Sequence, residues 1–472
     1  MTSIFHTLNL GTQALFANRQ GLDTAAHNIA NAQTEGYSRQ TAHLGQRAPT
    51  GFQGVFMGNG VYTQDISRSH DRFIEKQLNQ SNASLGASTT RDEALRSLEG
   101  IYSPDQSASL YDEMSNFFSS LHALSNSPED LPSRVAVIEQ GKTLSSTFRR
   151  VDENLRSTRS MIDENIDSSV HEVNSLLDRI ASLNGKIKGM EFADESQAND
   201  LRDQQDRMLR QVSEVFNVSY YSDASGMMTI RGPNETLLVE GSRAASMQVQ
   251  RSALTEGAYQ IIATDSGGSA HDITDAIHGG KIGGYLEVRD QVITGLIQDN
   301  NQLAKTLTDR FNEVHRSGYG INNMGARTGL NFFKSVDDID FAARNMDLDN
   351  AIIASTDALS TASSPLASGD NVNIIRMLGI QKEKLLNEGK STLDGFYTNT
   401  VGTLGAQIVK AGHLLDSDQV IHSDVMARKE SITGVSLDEE ATNMMRWQTS
   451  FTAASKVIKT VDEMLDTILH LK

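Results

Sequence analysis

The chain has 472 residues, a formal net charge of −18 and no cysteine. This length allows roughly two to four domains with hydrophobic cores. The negative charge, without any basic cluster, argues against nucleic-acid binding. The lack of cysteine excludes disulfides, thiolate catalysis and cysteine-ligated metals. No apolar run reaches the roughly 18 residues of a membrane-spanning helix, so we expect no membrane contact.

The first thirty residues carry an apolar repeat of seven residues. This period places a narrow stripe along one side of a helix, which is the seam of a coiled coil. Gly11 and Asn18 interrupt the stripe, so we expect the helix to need a partner helix for its stability. The predicted seam residues are Leu8, Leu15, Leu22 and Ile29.

A glycine-rich stretch over residues 31–60 predicts turns and extended structure. Helical spacing then covers 73–98 and 110–128. The longest helical pattern spans Arg134–Met190, which would measure roughly 85 Å at 1.5 Å per residue. A helix of this length indicates a rod-like protein.

Between residues 215 and 266 the apolar period changes from helical to two, which predicts a small antiparallel β domain. The predicted strands are 216–221, 227–231, 237–240, 247–250 and 259–263. Helical spacing returns over 292–314, and a less patterned stretch follows over 318–370. A last helical block begins near Leu393.

The chain ends as it begins, with a seven-residue apolar repeat. Its predicted seam residues are Leu437, Met444, Phe451, Ile458 and Leu465. Either end alone could be an ordinary amphipathic helix on a globular core. A seam at both ends favours pairing of the termini and assembly with neighbouring chains.

The predicted fold is therefore mainly α with an inserted antiparallel β domain, arranged as a nested multi-domain rod whose terminal helices pair as a coiled coil. We expect a terminal assembly domain from 1–35 and 435–472. The helical rod takes 36–211, 291–320 and 371–434. The outer β-rich domain takes 212–290, and 321–370 is a candidate addition to it.

Residues 28–40, which begin at the end of the N-terminal seam, form the end of a helix and a turn in which Gly36 tolerates a left-handed backbone. The run resembles the N-terminal signature of bacterial flagellar axial proteins, which form the rod, the hook and the hook–filament junction. That signature is Asn-Ile-Ala-Asn, a short spacer and Thr-x-Gly-Tyr. The residues that carry it here are Asn28, Ala30, Asn31, Thr34, Gly36 and Tyr37. Glu35 stands where the family often has proline.

Four later segments narrow the resemblance to the flagellar hook-associated protein 1 family. They are 198–206, 279–290, 311–319 and 434–440, the last reading Gly-Val-Ser-Leu-Asp-Glu-Glu. Gln205 departs from the arginine usual in the first segment. The likeness covers nearly the whole chain and is weakest over 320–370.

The resemblance implies a structural subunit of the flagellum that joins hook to filament as a ring of copies. The implied partners are further copies of the chain, the hook protein, a second junction protein (hook-associated protein 3) and an export chaperone on the C-terminal helix. Met444, Met445 and Trp447 are the candidate chaperone face, because methionines adapt to varied partners. The first twenty residues lack a basic leader, so we expect no cleaved signal peptide. The resemblance implies export through the flagellar type III apparatus to an extracellular place in the flagellum.

The alternatives are another axial protein (hook or distal rod), a surface adhesin that uses the β insertion, and a secreted enzyme. No catalytic, cofactor-binding or metal-ligating residue is predicted. Residues 136–143 fit a loose phosphate-loop pattern but fall inside a helical pattern. The glycine-rich stretch 279–284 is interpreted as a flexible exit from the last strand.

Overall fold

The computed structural model describes residues 2–52, 55–102, 109–194, 198–252, 257–265, 268–321 and 329–470. The helices are α1 (Thr2–Asn31), α2 (Arg72–Tyr102), α3 (Leu110–Asn126), α4 (Leu131–Asp194), α5 (Asn199–Val215), α6 (Gly280–Glu287), α7 (Thr294–Arg316), α8 (Asn350–Ala354), α9 (Val372–Gly379), α10 (Leu393–Thr433) and α11 (Leu437–His470). The strands are β1 (Gln40–Gln46), β2 (Thr50–Phe52), β3 (Val55–Met57), β4 (Val61–Arg68), β5 (Ser219–Ser222), β6 (Met228–Arg231), β7 (Leu237–Glu240), β8 (Arg243–Ala244), β9 (Ser246–Arg251), β10 (Tyr259–Thr264) and β11 (Ala270–Asp272). The predicted fold class, mainly helical with an inserted antiparallel β region, is confirmed.

The first and last helices pack along each other, as predicted. Gly11 faces Ile458, Gly21 faces Trp447 and Asn28 bonds to Glu440, so the two helices run antiparallel. The partner that α1 needs is therefore supplied by the same chain. The break between α10 and α11 at residues 434–436 allows the last helix to turn back along the first.

A β-hairpin lies beside α1. Strands β1 and β4 pair antiparallel from Gln40↔Arg68 to Gln46↔Val61, and the β2–β3 hairpin extends them. The hairpin packs along α1, and the His6 ring Nε2 lies 3.2 Å from the Gly58 carbonyl oxygen. The extended structure predicted for 31–60 is thus present, and it covers one flank of the terminal helix pair.

The body of the molecule is a bundle around α4, which is 64 residues long and so about 96 Å at 1.5 Å per residue. Helices α2, α3, α5 and α7 pack on it, and α10 packs along α2. Four phenylalanines from three different parts of the chain form the centre of this core, with ring centroids 4.8–5.8 Å apart. They are Phe117, Phe311, Phe332 and Phe333.

The β insertion consists of a four-stranded sheet (β5-β6-β7-β8) and a three-stranded sheet (β11-β10-β9), both antiparallel. Two asparagines of α4 hold it to the rod. The Asn184 amide donates to the Met228 carbonyl and accepts from the Met228 N–H, both at 2.8 Å. Asn174 makes the same pair of bonds with Met247 at 2.7 and 2.9 Å. Each side chain thus takes the place of a neighbouring strand's peptide group.

The same device, which we call an asparagine clamp, fixes the irregular segment 329–370 to α7. Asn312 donates to the Phe333 carbonyl and accepts from its N–H, and Asn301 bridges Asp340 and Ala343. Arg134 at the start of α4 is fully buried and donates to the Leu359 carbonyl at 2.7 Å. We therefore propose that 329–370 belongs to the helical rod rather than to the β-rich domain.

The prediction that 279–284 is a flexible strand exit is wrong. Gly280 begins α6, which packs against α2. A Cβ atom at Gly284 would lie 2.2 Å from the Thr90 hydroxyl and 2.4 Å from the Ala87 carbonyl oxygen. The glycine at position 284 is therefore explained by the close packing of α6 on α2, and not by a flexible loop. Residues 136–143 lie inside α4, as expected.

Gly284→Ala should destabilise the protein, because the added methyl group has no room between α6 and α2. We expect a loss of about 2 kcal/mol in the free energy of unfolding, measured by urea denaturation. Gly402→Ala in α10 is the matched control, since no atom lies within 4 Å of its Cβ position. It should raise stability by up to about 1 kcal/mol. Equal effects of the two substitutions would contradict the packing argument.

His315 at the end of α7 is buried and holds two backbone groups. Its Nδ1 lies 2.7 Å from the Leu330 carbonyl oxygen and its Nε2 accepts from the Ser360 N–H at 3.0 Å. This pattern requires the neutral ring with the proton on Nδ1. Burial lowers the pKa of His315 from 6.5 to about 4.

Acid should therefore weaken the fold through His315. Because its pKa is lowered in the folded state, its stabilising contribution is complete above pH 6.5 and is lost as the pH falls toward 4. The loss amounts to up to about 3 kcal/mol. Urea unfolding across this range should show a smaller decline for His315→Gln than for the wild type. His171→Gln, at a 77% exposed side chain, should follow the wild type. A decline in His315→Gln as steep as that of the wild type would exclude this role.

Candidate assembly site at the base of the terminal helix pair

The terminal helix pair is closest where small residues of α1 face large residues of α11. The Cβ position of Gly21 lies 2.6 Å from the Trp447 ring, so glycine is required for this contact. Gly11, Ala17 and Ala25 are also buried in α1. Of the predicted seam residues, Ile458 packs on Gly11 at this contact.

Most predicted seam residues are only half-buried in the single chain. The half-buried positions are Leu8, Leu15, Leu22, Ile29, Met444, Phe451, Ile458 and Leu465. Leu437, at the start of α11, is 52% exposed. Of the candidate chaperone face, Met444 and Trp447 are half-buried and Met445 is exposed.

The base of the pair is the end at which α1 stops and α11 begins, and the side chain of Asn28 joins the two helices there. Asn28 also makes an asparagine clamp on Gln40. Its amide donates to the Gln40 carbonyl at 2.8 Å and accepts from the Gln40 N–H at 2.9 Å. The same amide donates to the Glu440 carboxylate at 3.1 Å, and the Tyr37 hydroxyl donates to its oxygen at 2.7 Å. Groups from the turn, from β1 and from α11 thus meet at one buried side chain of α1.

Arg39 carries this junction to the break between α10 and α11. Its guanidinium pairs with the buried Glu440 at 2.7 Å and with Glu439 at 2.9 Å. Its backbone N–H donates to the carbonyl of Thr433, the last residue of α10, at 2.9 Å. Charge-assisted hydrogen bonds from several nitrogens of one guanidinium fix orientation as well as supplying attraction. Arg39 therefore sets the angle at which α11 leaves the rod.

Helix α5 anchors the junction to the rod. The Ser38 N–H donates to Asp203 at 2.8 Å, and Arg68 of β4 bonds to Asp203 at 2.7 Å and to Asp206 at 2.6 Å. Burial raises the pKa of Asp203 above its usual range, although Arg68 opposes that shift. Burial also lowers the pKa of Arg68, but its two carboxylate partners outweigh burial and raise it. The buried ion pairs favour one arrangement of hairpin and rod, since a misplaced charge would lack its partner.

The remaining signature residues shape the turn. Gly36 adopts φ +78° beside the side chains of Arg207 and Arg210, a conformation that favours glycine. The Asn31 amide donates to the His27 carbonyl, and the Thr34 hydroxyl donates to the Asn31 side chain. Ala30 is exposed. Burial, with the nearby Asp200 carboxylate, raises the pKa of the Tyr37 hydroxyl and keeps it a neutral donor to Asn28.

The hydrogen bonds and ion pairs of this site join the terminal helices to the rest of the chain. Within the described ranges, no group of three or more His, Asp or Glu side chains is placed to hold a metal ion. None of the described helices has the length and apolarity to cross a membrane. A cleft of about 200 Å³ beside Tyr37 is lined mainly by polar and charged side chains that include His27, Asp200 and Arg207.

Three motifs recognised separately in the sequence therefore form one network. They are residues 28–40, 198–206 and 434–440. Their convergence was not predicted, because nothing in the sequence says that polar groups 165 to 412 positions apart are partners. Only the structure shows that Asn28, Asp203 and Glu440 are buried, and buried polar groups require partners.

A long helical rod, a β insertion and paired chain ends define a structural protein of the flagellar axial class. Residues 95–333 match the family model for the helical domain of flagellar hook-associated protein FlgK. Residues 431–471 match that for the C-terminal region of the flagellar basal body rod FlgEFG proteins. The chain belongs to the flagellar hook-associated protein FlgK family.

Relatives resemble the chain over its full length. It is 28% identical to flagellar hook-associated protein 1 of Bacillus subtilis (strain 168), covering 100% of this chain and 99% of that protein. It is 24% identical to the protein of the same name from Salmonella typhimurium, covering 98% and 99%. The structure of the flagellar hook junction protein FlgK from Burkholderia pseudomallei has the same fold, with a TM-score of 0.68 at 13% identity. That match covers 76% of this chain and 100% of the other.

Asn28→Asp should loosen the terminal pair. The substitution keeps the size of the side chain but removes the donor to Glu440 and places a second carboxylate beside it. We expect a loss of about 2 kcal/mol in the stability of the pair. Amide hydrogen exchange in α1 of the full-length protein should accelerate accordingly.

Asn9→Asp is the matched control on the same helix. Asn9 is exposed and accepts a hydrogen bond from Gln13, which a carboxylate can also accept. Its hydrogen exchange should equal that of the wild type. Unchanged exchange in Asn28→Asp would show that the junction does not hold the helices together.

Proposed function

We propose that this chain joins the flagellar hook to the filament as a ring of copies that polymerise through their paired terminal helices. The observation that carries this proposal is the closed junction at Asn28 and Glu440. It presents α1 and α11 as one rigid unit, anchored to the rod through Asp203. A subunit that bears torque between two tubes needs its assembly element fixed to its body in this way.

The half-buried seam supports contacts with neighbouring copies. Leu8, Leu15, Met444 and Phe451 are each covered in part by their own chain. Packing against another helix pair would bury the remainder, which is favourable at about 25 cal/mol per Å² of apolar surface. The proposed neighbours along the axis are the hook protein on one side and the second junction protein, hook-associated protein 3, on the other.

We further propose that the chain is exported through the flagellar type III apparatus, without a cleaved signal peptide, to an extracellular place in the flagellum. An export chaperone would bind α11 at Met444, Met445 and Trp447. Because Trp447 packs on Gly21, a chaperone that covers this tryptophan must displace α1. Chaperone binding and closure of the terminal pair are therefore mutually exclusive, which would delay assembly until export is complete.

Deletion of the gene should abolish motility and leave hooks without filaments. Flagellin should then appear as monomer in the culture medium, because its attachment point is lost. Electron microscopy of the cells and quantification of secreted flagellin measure both effects. Intact filaments in the deletion strain would refute the junction role.

Complementation with Leu15→Asp tests the seam separately. A charge at this half-buried position should allow secretion of the chain but prevent filament attachment, because it would be buried between copies. Ser222→Asp, on an exposed edge strand of the β insertion, is the control and should restore motility. Restoration by Leu15→Asp would exclude the seam from assembly.

A further inference from the structure

The first part of α1 and the hairpin beside it form a surface without acidic side chains. Residues 1–22 and 40–64 contain no Asp or Glu, although the chain has 60 acidic residues and a net charge of −18. Copies of so acidic a protein repel each other over most of their surface. The exposed Asp462, Glu463 and Asp466 near the end of the pair belong to α11, so close contact between copies is least opposed on the side formed by α1 and the hairpin.

Exposed aromatic side chains lie on two separate faces of this end. Phe56 of the hairpin is 79% exposed. Phe5 and Phe16 of α1 are 55% and 62% exposed. They are eleven residues apart, or about three helical turns, and so lie on one side of α1.

The two faces cannot cover each other within one chain. α1 meets α11 through Gly11 and Gly21, and the hairpin reaches α1 at His6. Phe5 and Phe16 lie on the side of α1 that neither neighbour covers, and Phe56 projects from the hairpin. At this end each chain thus exposes Phe56 on the hairpin, which we call the aromatic knob, and Phe5 and Phe16 on α1, which we call the aromatic strip.

We propose that Phe56 of one copy packs against the Phe5–Phe16 strip of the next copy. The inference rests on the proposed ring of copies and names the contact that builds it. A contact between two different patches is head-to-tail and closes into a ring when its rotation allows, whereas a contact of one patch with itself stops at a pair. The strip adjoins the seam of the same helix, so the new contact continues the proposed assembly surface.

A charge at the knob should break the contact. Phe56→Asp should leave the chain secreted at the wild-type level but unable to attach filaments. Phe192→Asp is the matched control, because Phe192 is 89% exposed near the end of α4, outside the terminal domain. It should support filaments as the wild type does. Normal filaments with Phe56→Asp, or equal failure of both variants, would overturn the proposal.

Cross-linking tests the pairing itself, and the lack of native cysteine makes it unambiguous. A Phe16→Cys chain and a Phe56→Cys chain of different mass are produced together, and purified hook–filament complexes are treated with a short bismaleimide. We expect a cross-linked dimer that contains one chain of each kind, and none when either variant is produced alone. A dimer from Phe56→Cys alone would indicate a two-fold contact and overturn the proposal.

The same experiment separates this inference from the proposed function. Complexes that contain the chain but give no mixed dimer refute the contact and leave the junction role intact. Complexes that lack the chain, in a strain whose filaments are normal, refute the junction role.

Discussion

The buried amide of Asn28 is the point on which the arrangement of the two chain ends depends. Both polar atoms of this amide have hydrogen-bond partners. Its nitrogen donates to Gln40 and Glu440, and its oxygen accepts from Tyr37 and Gln40. A network of this kind is stable only when every member is in place, because an unpaired buried polar group is costly. The helix end, the turn, the hairpin and the last helix are therefore positioned together. Arg39 extends the same constraint to the end of α10.

Elsewhere the rod holds its non-helical parts by the same chemistry. Asn174 and Asn184 clamp backbone groups of the β insertion, and Asn301 and Asn312 clamp the irregular segment beside α7. An asparagine amide can face a peptide group with one N–H donor and its oxygen acceptor, and it keeps a second N–H for another partner, so it can replace a strand neighbour on the side of a helix. These asparagines thus hold strands and loops in place against helices, including the 64-residue α4, without an additional strand.

The sequence predicts much of this architecture, because apolar period is a local signal. The long helix and the antiparallel strands follow from spacing alone. The glycine stretch at Gly284 was misinterpreted, because a glycine required for close packing on α2 resembles a flexible one in sequence. The junction depends on partners such as Asn28 and Glu440, 412 positions apart, which no local pattern connects. Family resemblance marked these residues, and the structure supplies the physical reason for their identity.

The central claim is that the chain pairs its own ends before it meets a neighbour. Trp447 is the single tryptophan of the protein and packs on Gly21 of α1. Quenching of its fluorescence by acrylamide in the free full-length protein therefore reports the pairing directly. The account predicts strong shielding relative to the urea-unfolded chain. Quenching equal to that of the unfolded chain would show that the ends pair only on assembly, which would contradict it.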